Sequence, residues 1–277
     1  MKIQLLSPRF ELAFNQRFLE ECKKINLECD HLMIDELLVT TELVPETLIV
    51  NRLPLFDPWG IEGSFLSQAI SVNSYADRLK YGTKMQQQRW LSAHKLPHLP
   101  SLQWKKYCNT RVLSDWIQHE CQKGWALKMN RGLKGVGVHF GRDVSELFKW
   151  VQTLQHINED EFLIQPWLEG AREWRAMILN SQIWSVLERS TEGQGPANFA
   201  QGGLAKEKSP STVLKKMVQS WCEFNPSIQY AALDILEKDG EFYFIDINLC
   251  PGVEQLESVT HRNFVEELLK VILKTQR

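Results

Sequence analysis

A chain of 277 residues with 43% hydrophobic and 24% charged residues has ordinary globular composition, and it is long enough for two or three lobes. A formal net charge of −2 argues against a broadly basic surface for nucleic acid or an anionic membrane. The six cysteines include no C-x-x-C pair and no zinc-like pairing with histidine. No run of about 18 apolar residues occurs, and the N-terminus reaches a proline and charges too early for a signal peptide. The expectation is a soluble, reduced, cytoplasmic protein with no nucleic-acid or membrane partner, and self-association stays open.

The pattern predicts a strand over "MKIQLLS", a helix from Phe10 to Ile25, and strands in "ECDHLMID" and "ETLIVNR". These form a small α/β lobe over residues 1–72, ending in the turn-rich "LFDPWGIEG" and a helix from Ser64 to Ser71. A second unit, 73–165, opens with a helix from Gly82 to His94 and the turn "KLPHLPSL". A helix from Leu113 to Gln122, strand "WALKMN", a glycine loop, a helix from Val144 to Leu154 and strand "EFLIQPWL" follow. The third unit, 166–277, has strands "EWRAMILN" and "SQIWSVLERS", a helix from Pro210 to Phe224, strands "YAALDILE" and "EFYFIDIN", and a helix from Asn263 to Lys274. The ten tryptophans are scattered, which suits core or lobe packing; Trp59, Trp104 and Trp174 are candidates for a cleft wall, with core packing favoured for each.

The glycine loop holds Gly132, Gly135, Gly137 and Gly141 within ten residues, behind Lys128. It matches neither the Walker loop nor the dinucleotide G-x-G-x-x-G, and a kinase lysine would follow its loop rather than precede it. Gly132, Gly135 and Gly137 let backbone N–H groups approach phosphate oxygens, and Lys128 supplies a point charge. A surface lysine beside an ordinary loop is the plain alternative. In "YAALDILEKDGEFYFIDINLCPG", a three-residue loop Lys238-Asp239-Gly240 places even-numbered positions of both strands on one face. Asp234, Asp246 and Asn248 then project together as hard oxygen ligands for Mg²⁺, with Ala232, Leu236, Phe242 and Phe244 as apolar company on that face. Solvated acids on an exposed sheet are the alternative.

Together these features resemble the ATP-grasp enzymes, specifically the RimK-type carboxylate–amine ligases. In that family a strand-end lysine is followed by glycines at +4, +7 and +9, as Lys128 is by Gly132, Gly135 and Gly137. A second nucleotide-binding lysine lies eleven residues after an asparagine, as Lys84 does after Asn73, with Thr83 where the family has aspartate. "FLIQPWLEGAREWRAMILNSQIWSVLERS" is similar to the adenine hinge, an acid-x-Arg motif and an arginine-ended strand. The resemblance implies adenine contacts from Gln165, Pro166, Trp167 and Leu168, and roles for Arg175 and Arg189 at the transferred phosphate or substrate carboxylate. It implies a phosphate- or intermediate-binding role for Asn198, and magnesium ligation by Asp234, Asp246 and Asn248, the middle one commonly glutamate in the family.

The implied fold is α/β, in α+β lobes: an ATP-grasp fold with a small N-terminal α/β lobe before it. The implied cofactors are ATP and Mg²⁺, with Mn²⁺ as the alternative. The implied reaction joins a carboxylate and an amine, each from a small molecule or peptide, through an acyl phosphate. Asn51 and Arg52 are acceptor-contact candidates. Structural ion pairs with Glu173 or Glu188 are the plain alternative for Arg175 and Arg189. His139, His156 and His261 read as incidental and Cys250 as a packing residue. Two rival readings are an ATP-grasp kinase acting on a hydroxyl and a catalytically idle nucleotide-binding module.

Overall fold

The computed structural model describes residues 2–8, 12–34, 47–53, 61–105, 109–130, 137–156, 161–190 and 204–275. Gly132, Gly135, Asn198 and Trp59 lie outside the described residues.

The first lobe is a parallel sheet in the order β2-β1-β3-β4, from β1 (Lys2–Ser7), β2 (Cys29–Met33), β3 (Thr47–Asn51) and β4 (Ile70–Val72). Parallel neighbours need crossovers, supplied here by α1 (Ala13–Lys24) and α2 (Ile61–Gln68). Strand β3 is buried at all five positions, as expected for a strand covered on both faces.

Two short helices follow, α3 (Tyr75–Tyr81) and α4 (Lys84–Ala93). Each begins where a hydroxyl caps it: Ser74 accepts from the Asp77 N–H and Thr83 from the Gln86 N–H. Thr83 therefore takes the capping place that an aspartate would fill equally well, and Lys84 becomes the first helical residue. Asn73 is buried, and its amide binds the carbonyls of Tyr230 and Leu249 and the Gln229 N–H, tying the end of β4 to the far sheet.

The central sheet is antiparallel in the order β5-β8-β6-β7, from β5 (Leu102–Lys105), β6 (Trp125–Met129), β7 (Val138–Gly141) and β8 (Glu161–Pro166). Helices α5 (Thr110–Glu120) and α6 (Val144–His156) cover one face, burying Trp104, Trp125, Leu127, Phe162 and Ile164. Strand alternation turns Ala126, Lys128, Leu163 and Gln165 the other way.

The third sheet is antiparallel in the order β11-β10-β9-β12-β13, from β9 (Arg172–Leu179), β10 (Gln182–Ser190), β11 (Leu204–Glu207), β12 (Tyr230–Lys238) and β13 (Glu241–Asn248). One face packs Trp174, Ala176, Ile178, Leu233, Ile235 and Ile247 against α7 (Thr212–Phe224), with Tyr81 and Leu91 from α3 and α4. The opposite face has two halves. Met177, Leu179, Leu187, Tyr230 and Ala232 pack against the first lobe, α8 (Glu254–Thr260) and α9 (Phe264–Thr275). Glu173, Arg175, Arg189, Asp234, Asp246 and Asn248 occupy the other half. Burying one Leu- or Phe-sized side chain stabilises by about 1.5–3 kcal/mol, so this sheet is anchored from both sides.

The β12–β13 hairpin corrects the register expected from the sequence. Lys238 pairs with Glu241 across a two-residue turn, Asp239 and Gly240, both at positive φ (53° and 85°). A bulge at Ile245 then restores the pairing of Asp234 with Asp246. The acids do share a face, but Phe242 and Phe244 lie before the bulge and turn into the core beside Ile235. They are not the apolar company of Asp234; arginines enclose it instead.

Candidate functional site

Across the third sheet, Arg175, Asp234 and Asp246 are direct cross-strand neighbours on β9, β12 and β13. One pair closer to the strand ends, Glu173 faces Arg189 of β10. Alternation puts Glu173 and Arg175 on one face of β9, and the pairing register brings Arg189, Asp234 and Asp246 to the same face. The sheet order then sets cations and anions next to each other. Arg175 donates through Nε and Nη2 to the two Asp234 oxygens, each at 2.7 Å. Arg189 reaches Glu173 Oε1 at 2.8 Å and Asp234 Oδ1 at 3.5 Å.

Burial by itself would raise the Asp234 pKa. Arg175 first, then Arg189 and Lys84, outweigh it and hold the carboxyl below the usual carboxylate range. Burial would likewise lower the Arg175 pKa, and Asp234 reverses that, so both groups are charged.

Two lysines come in from other elements. Lys84, on the first turn of α4, places Nζ 3.1 Å from Asp246 Oδ1. Lys128, on β6, feels Lys84, Asp246, Glu173 and Asp234. Burial first, and Lys84 second, push its pKa down to about 8 against the pull of those three carboxylates. The central sheet thus presents a lysine to the acidic row of the third sheet.

Among the described residues no three His, Cys, Asp or Glu side chains form a metal nest. Mg²⁺ takes one or two carboxylates and completes its octahedron with phosphate and water oxygens. Asp246 keeps 32% side-chain exposure, and Asn248 is held by accepting the Cys250 N–H at 2.8 Å. An accessible carboxylate, a fixed carboxamide oxygen and Asp234 behind them fit a magnesium-sized hard cation in chemistry.

The remaining sequence candidates fall as follows. Gln165 is fully buried and donates to Ser101 Oγ at 2.8 Å, while Pro166 ends β8 opposite Trp125. The Trp167 N–H donates to the Gly124 carbonyl, and its ring stacks on Phe140 with centroids 4.4 Å apart. Leu168 follows, half-buried, at the start of the turn to β9. Gly137 has φ 74°, and a Cβ there would come within 2.2 Å of Met129 Sδ. Arg52, expected as an acceptor contact, is instead buried against Phe14 and bound to the Tyr230 hydroxyl and the Pro251 carbonyl. Trp104 and Trp174 are core residues.

Sequence reasoning missed Glu173 as a member of the charged row, naming it only as a possible arginine partner. Its place in the acid-x-Arg motif was the available signal. It also passed over Gln87 and Asn130, whose hydrogen bonds join elements far apart in the chain and leave no local pattern.

The three sheets, the charged row and the two lysines define an α/β fold whose class the comparisons with known proteins identify. A model of the RimK-like ATP-grasp domain matches residues 87–272, and the chain belongs to that family. A probable alpha-L-glutamate ligase of Trichodesmium erythraeum is 25% identical over 137 residues, covering 48% of this chain and 45% of the relative. A tetrahydromethanopterin:alpha-L-glutamate ligase of Methanococcus maripaludis is 22% identical over 192 residues, covering 68% of this chain and 64% of the relative. The chain spans about half the length of the first curated relatives it matches. Among solved structures, D-alanine–D-alanine ligase of Bacillus anthracis complexed with ATP superposes with a TM-score of 0.73 at 17% identity, covering 99% of this chain and 96% of that one. D-cycloserine synthetase gives 0.76 at 13% identity, covering 99% and 100%. The fold is the ATP-grasp fold expected from the sequence.

Proposed function

We propose that the protein is an ATP-dependent carboxylate–amine ligase that forms an amide bond through an acyl phosphate and releases ADP and phosphate. The observation that carries this reading is the alternation of charge at the site. Lys84 pairs with Asp246 and Arg175 with Asp234, the two carboxylates a bound cation would take, and Lys128 lies in the field of both. Such a site can exchange partners, with carboxylates turning to a cation and lysines to phosphates.

In this reading Lys84, Lys128 and the loop holding Gly132, Gly135 and Gly137 bind the ATP phosphates. Gln165, Pro166, Trp167 and Leu168 form the adenine edge. A divalent cation held by Asp234, Asp246 and Asn248 would neutralise phosphate charge there. A carboxylate oxygen of the substrate attacks the γ-phosphorus, the bond to the β,γ-bridging oxygen breaks, and ADP leaves with that electron pair. An amine then adds to the acyl carbon, loses its proton, and inorganic phosphate departs. Arg175, with 19% of its side chain exposed, is assigned to the oxyanions. Arg189, with 1% exposed, acts from behind through Asp234 and Glu173 and is a positioning residue. Asn198 is assigned to the phosphate or the intermediate. The relatives' names point to glutamate as one substrate.

The test supplies Mg-ATP with pools of amino acids and dipeptides, with and without added amine, and follows ADP, phosphate and products by mass spectrometry. Phosphate release that needs both carboxylate and amine, with a product lighter than its parts by one water, is expected. A phosphorylated acceptor without free phosphate would replace this reading with a kinase.

A further inference from the structure

Helix α4 is fastened on two sides within its first turn. On one side stands Asn130, two residues beyond Lys128 at the end of β6. Its backbone carbonyl accepts the Lys84 N–H at 3.2 Å and its Oδ1 accepts the Met85 N–H at 3.0 Å. Its Nδ2 donates to Glu161 Oε2 at 3.1 Å, which fixes the amide's orientation. The first N–H groups of a helix have no intrahelical partner, so Asn130 both satisfies them and sets the distance between the two lysine-bearing elements.

On the other side stands Gln87. Strand β13 is the edge of its sheet, so its outward backbone groups need partners from elsewhere. Pro97 supplies one, accepting the Phe244 N–H at 3.0 Å. Gln87, which is buried, supplies two more. Its Oε1 accepts the Ile247 N–H at 3.1 Å and its Nε2 donates to the Ile247 carbonyl at 2.9 Å and to the Tyr81 carbonyl at 3.2 Å. The Ile247 N–H belongs to the peptide joining it to Asp246, and the Ile247 carbonyl to the peptide joining it to Asn248. A planar amide paired at two points holds both the height and the tilt of that backbone, which an apolar contact would not. Helical spacing puts Lys84 and Gln87 on one side of α4, one turn apart.

We propose that Gln87 is a positioning residue for the metal-binding edge: with Asn130 it makes α4 a bracket that sets Lys84, Asp246 and Asn248 at one spacing. The proposal rests on the reading that Asp246 and Asn248 take a divalent cation together with the nucleotide. The bracket carries no charge to the ligand. It selects the geometry in which an octahedral cation finds its oxygens without strain, and Mg²⁺ demands that geometry closely.

The test uses the full chain with Gln87→Glu, which keeps the side chain's size and its acceptor but loses the donor to the Ile247 carbonyl, and Gln87→Met, which loses both. ADP affinity is titrated in EDTA, and the Mg²⁺ concentration giving half-maximal enhancement of ADP binding is then measured. The expected result for Gln87→Glu is a Mg²⁺ requirement raised about tenfold, the usual effect of removing a group that orients metal ligands, with affinity for metal-free ADP unchanged. Metal-free affinity survives because α4 stays fastened to β6 through Asn130. If Gln87→Glu fails to fold, Gln87→Met decides by the same split. Equal loss of both affinities, or no change in either, overturns the bracket while leaving the ligase reading standing. A wild-type chain whose ADP binding ignores Mg²⁺ overturns both.

Discussion

The Arg175 guanidinium holds both oxygens of Asp234 at 2.7 Å, on adjacent strands where the two residues are direct cross-strand neighbours. Removing one member of a buried pair leaves the other charged and enclosed. Arg175→Ala is expected to cost about 3 kcal/mol in urea unfolding. A loss below about 1 kcal/mol, the range of exposed pairs, would show that Arg189 compensates Asp234 unaided. Arg175→Lys keeps the charge but not the two-point fork, so it should recover only part of the loss.

On the proposed reading, the same neutralisation would make nucleotide and metal interdependent. Binding phosphates alone would draw Lys84 from Asp246, and binding a cation alone would set a positive charge beside Lys84 and Arg175. Chelating the metal with EDTA is expected to weaken ATP binding by about tenfold or more, within the usual range of coupling between sites. Calorimetric titration checks it, and equal affinity with and without Mg²⁺ would refute the exchange. By reciprocity, saturating ATP should strengthen Mg²⁺ binding by the same factor.

Lys128 has a folded-state pKa of about 8, against 10.5 for the unperturbed group. Below about 8 it is protonated in both folded and unfolded chains, and the full penalty of burying its charge is present. Between about 8 and 10.5 the unfolded chain binds more protons, so this residue's contribution to stability rises with pH across that window. Lys128→Met should therefore stabilise the ligand-free protein at pH 7 by on the order of 1 kcal/mol, while weakening Mg-ATP binding. For the unaltered chain, ATP affinity should fall as pH rises past about 8. Thermal melts and titrations at pH 7 and 9 measure both, and a variant less stable than the wild type at pH 7 would contradict the argument.

Gly137 combines φ 74° with a Cβ position 2.2 Å from Met129 Sδ. Gly137→Ala is expected to destabilise by about 1–3 kcal/mol. Adding Met129→Ala should relieve the contact but not the backbone strain, so recovery is partial. Full recovery in denaturant melts would assign the whole cost to the contact.

Much of the site was legible before any folding was considered. Period-two alternation puts Glu173 with Arg175 and Asp234 with Leu236 on single faces, and glycine-rich spacing behind Lys128 marks a place where backbone can approach a ligand. The main helices and most strands follow from amphipathic periods, because those depend on neighbours only two to four positions away. Short elements escaped: β4, β5, β7 and β11 have three or four residues each, too few for a period to show. The tertiary structure alone decided three things. A bulge at Ile245 restored the Asp234–Asp246 pairing that a two-residue turn would have lost, and sent Phe242 and Phe244 to the core. Strand order set Arg175 against Asp234, 59 positions away in the chain. Packing brought Lys84 to Asp246 and Gln87 to Ile247 across separations of 162 and 160 residues. Local sequence specifies which way a side chain points, since that follows from the geometry of its own element. Its partner depends on contacts between distant segments, which form only when the whole chain has buried its apolar surface.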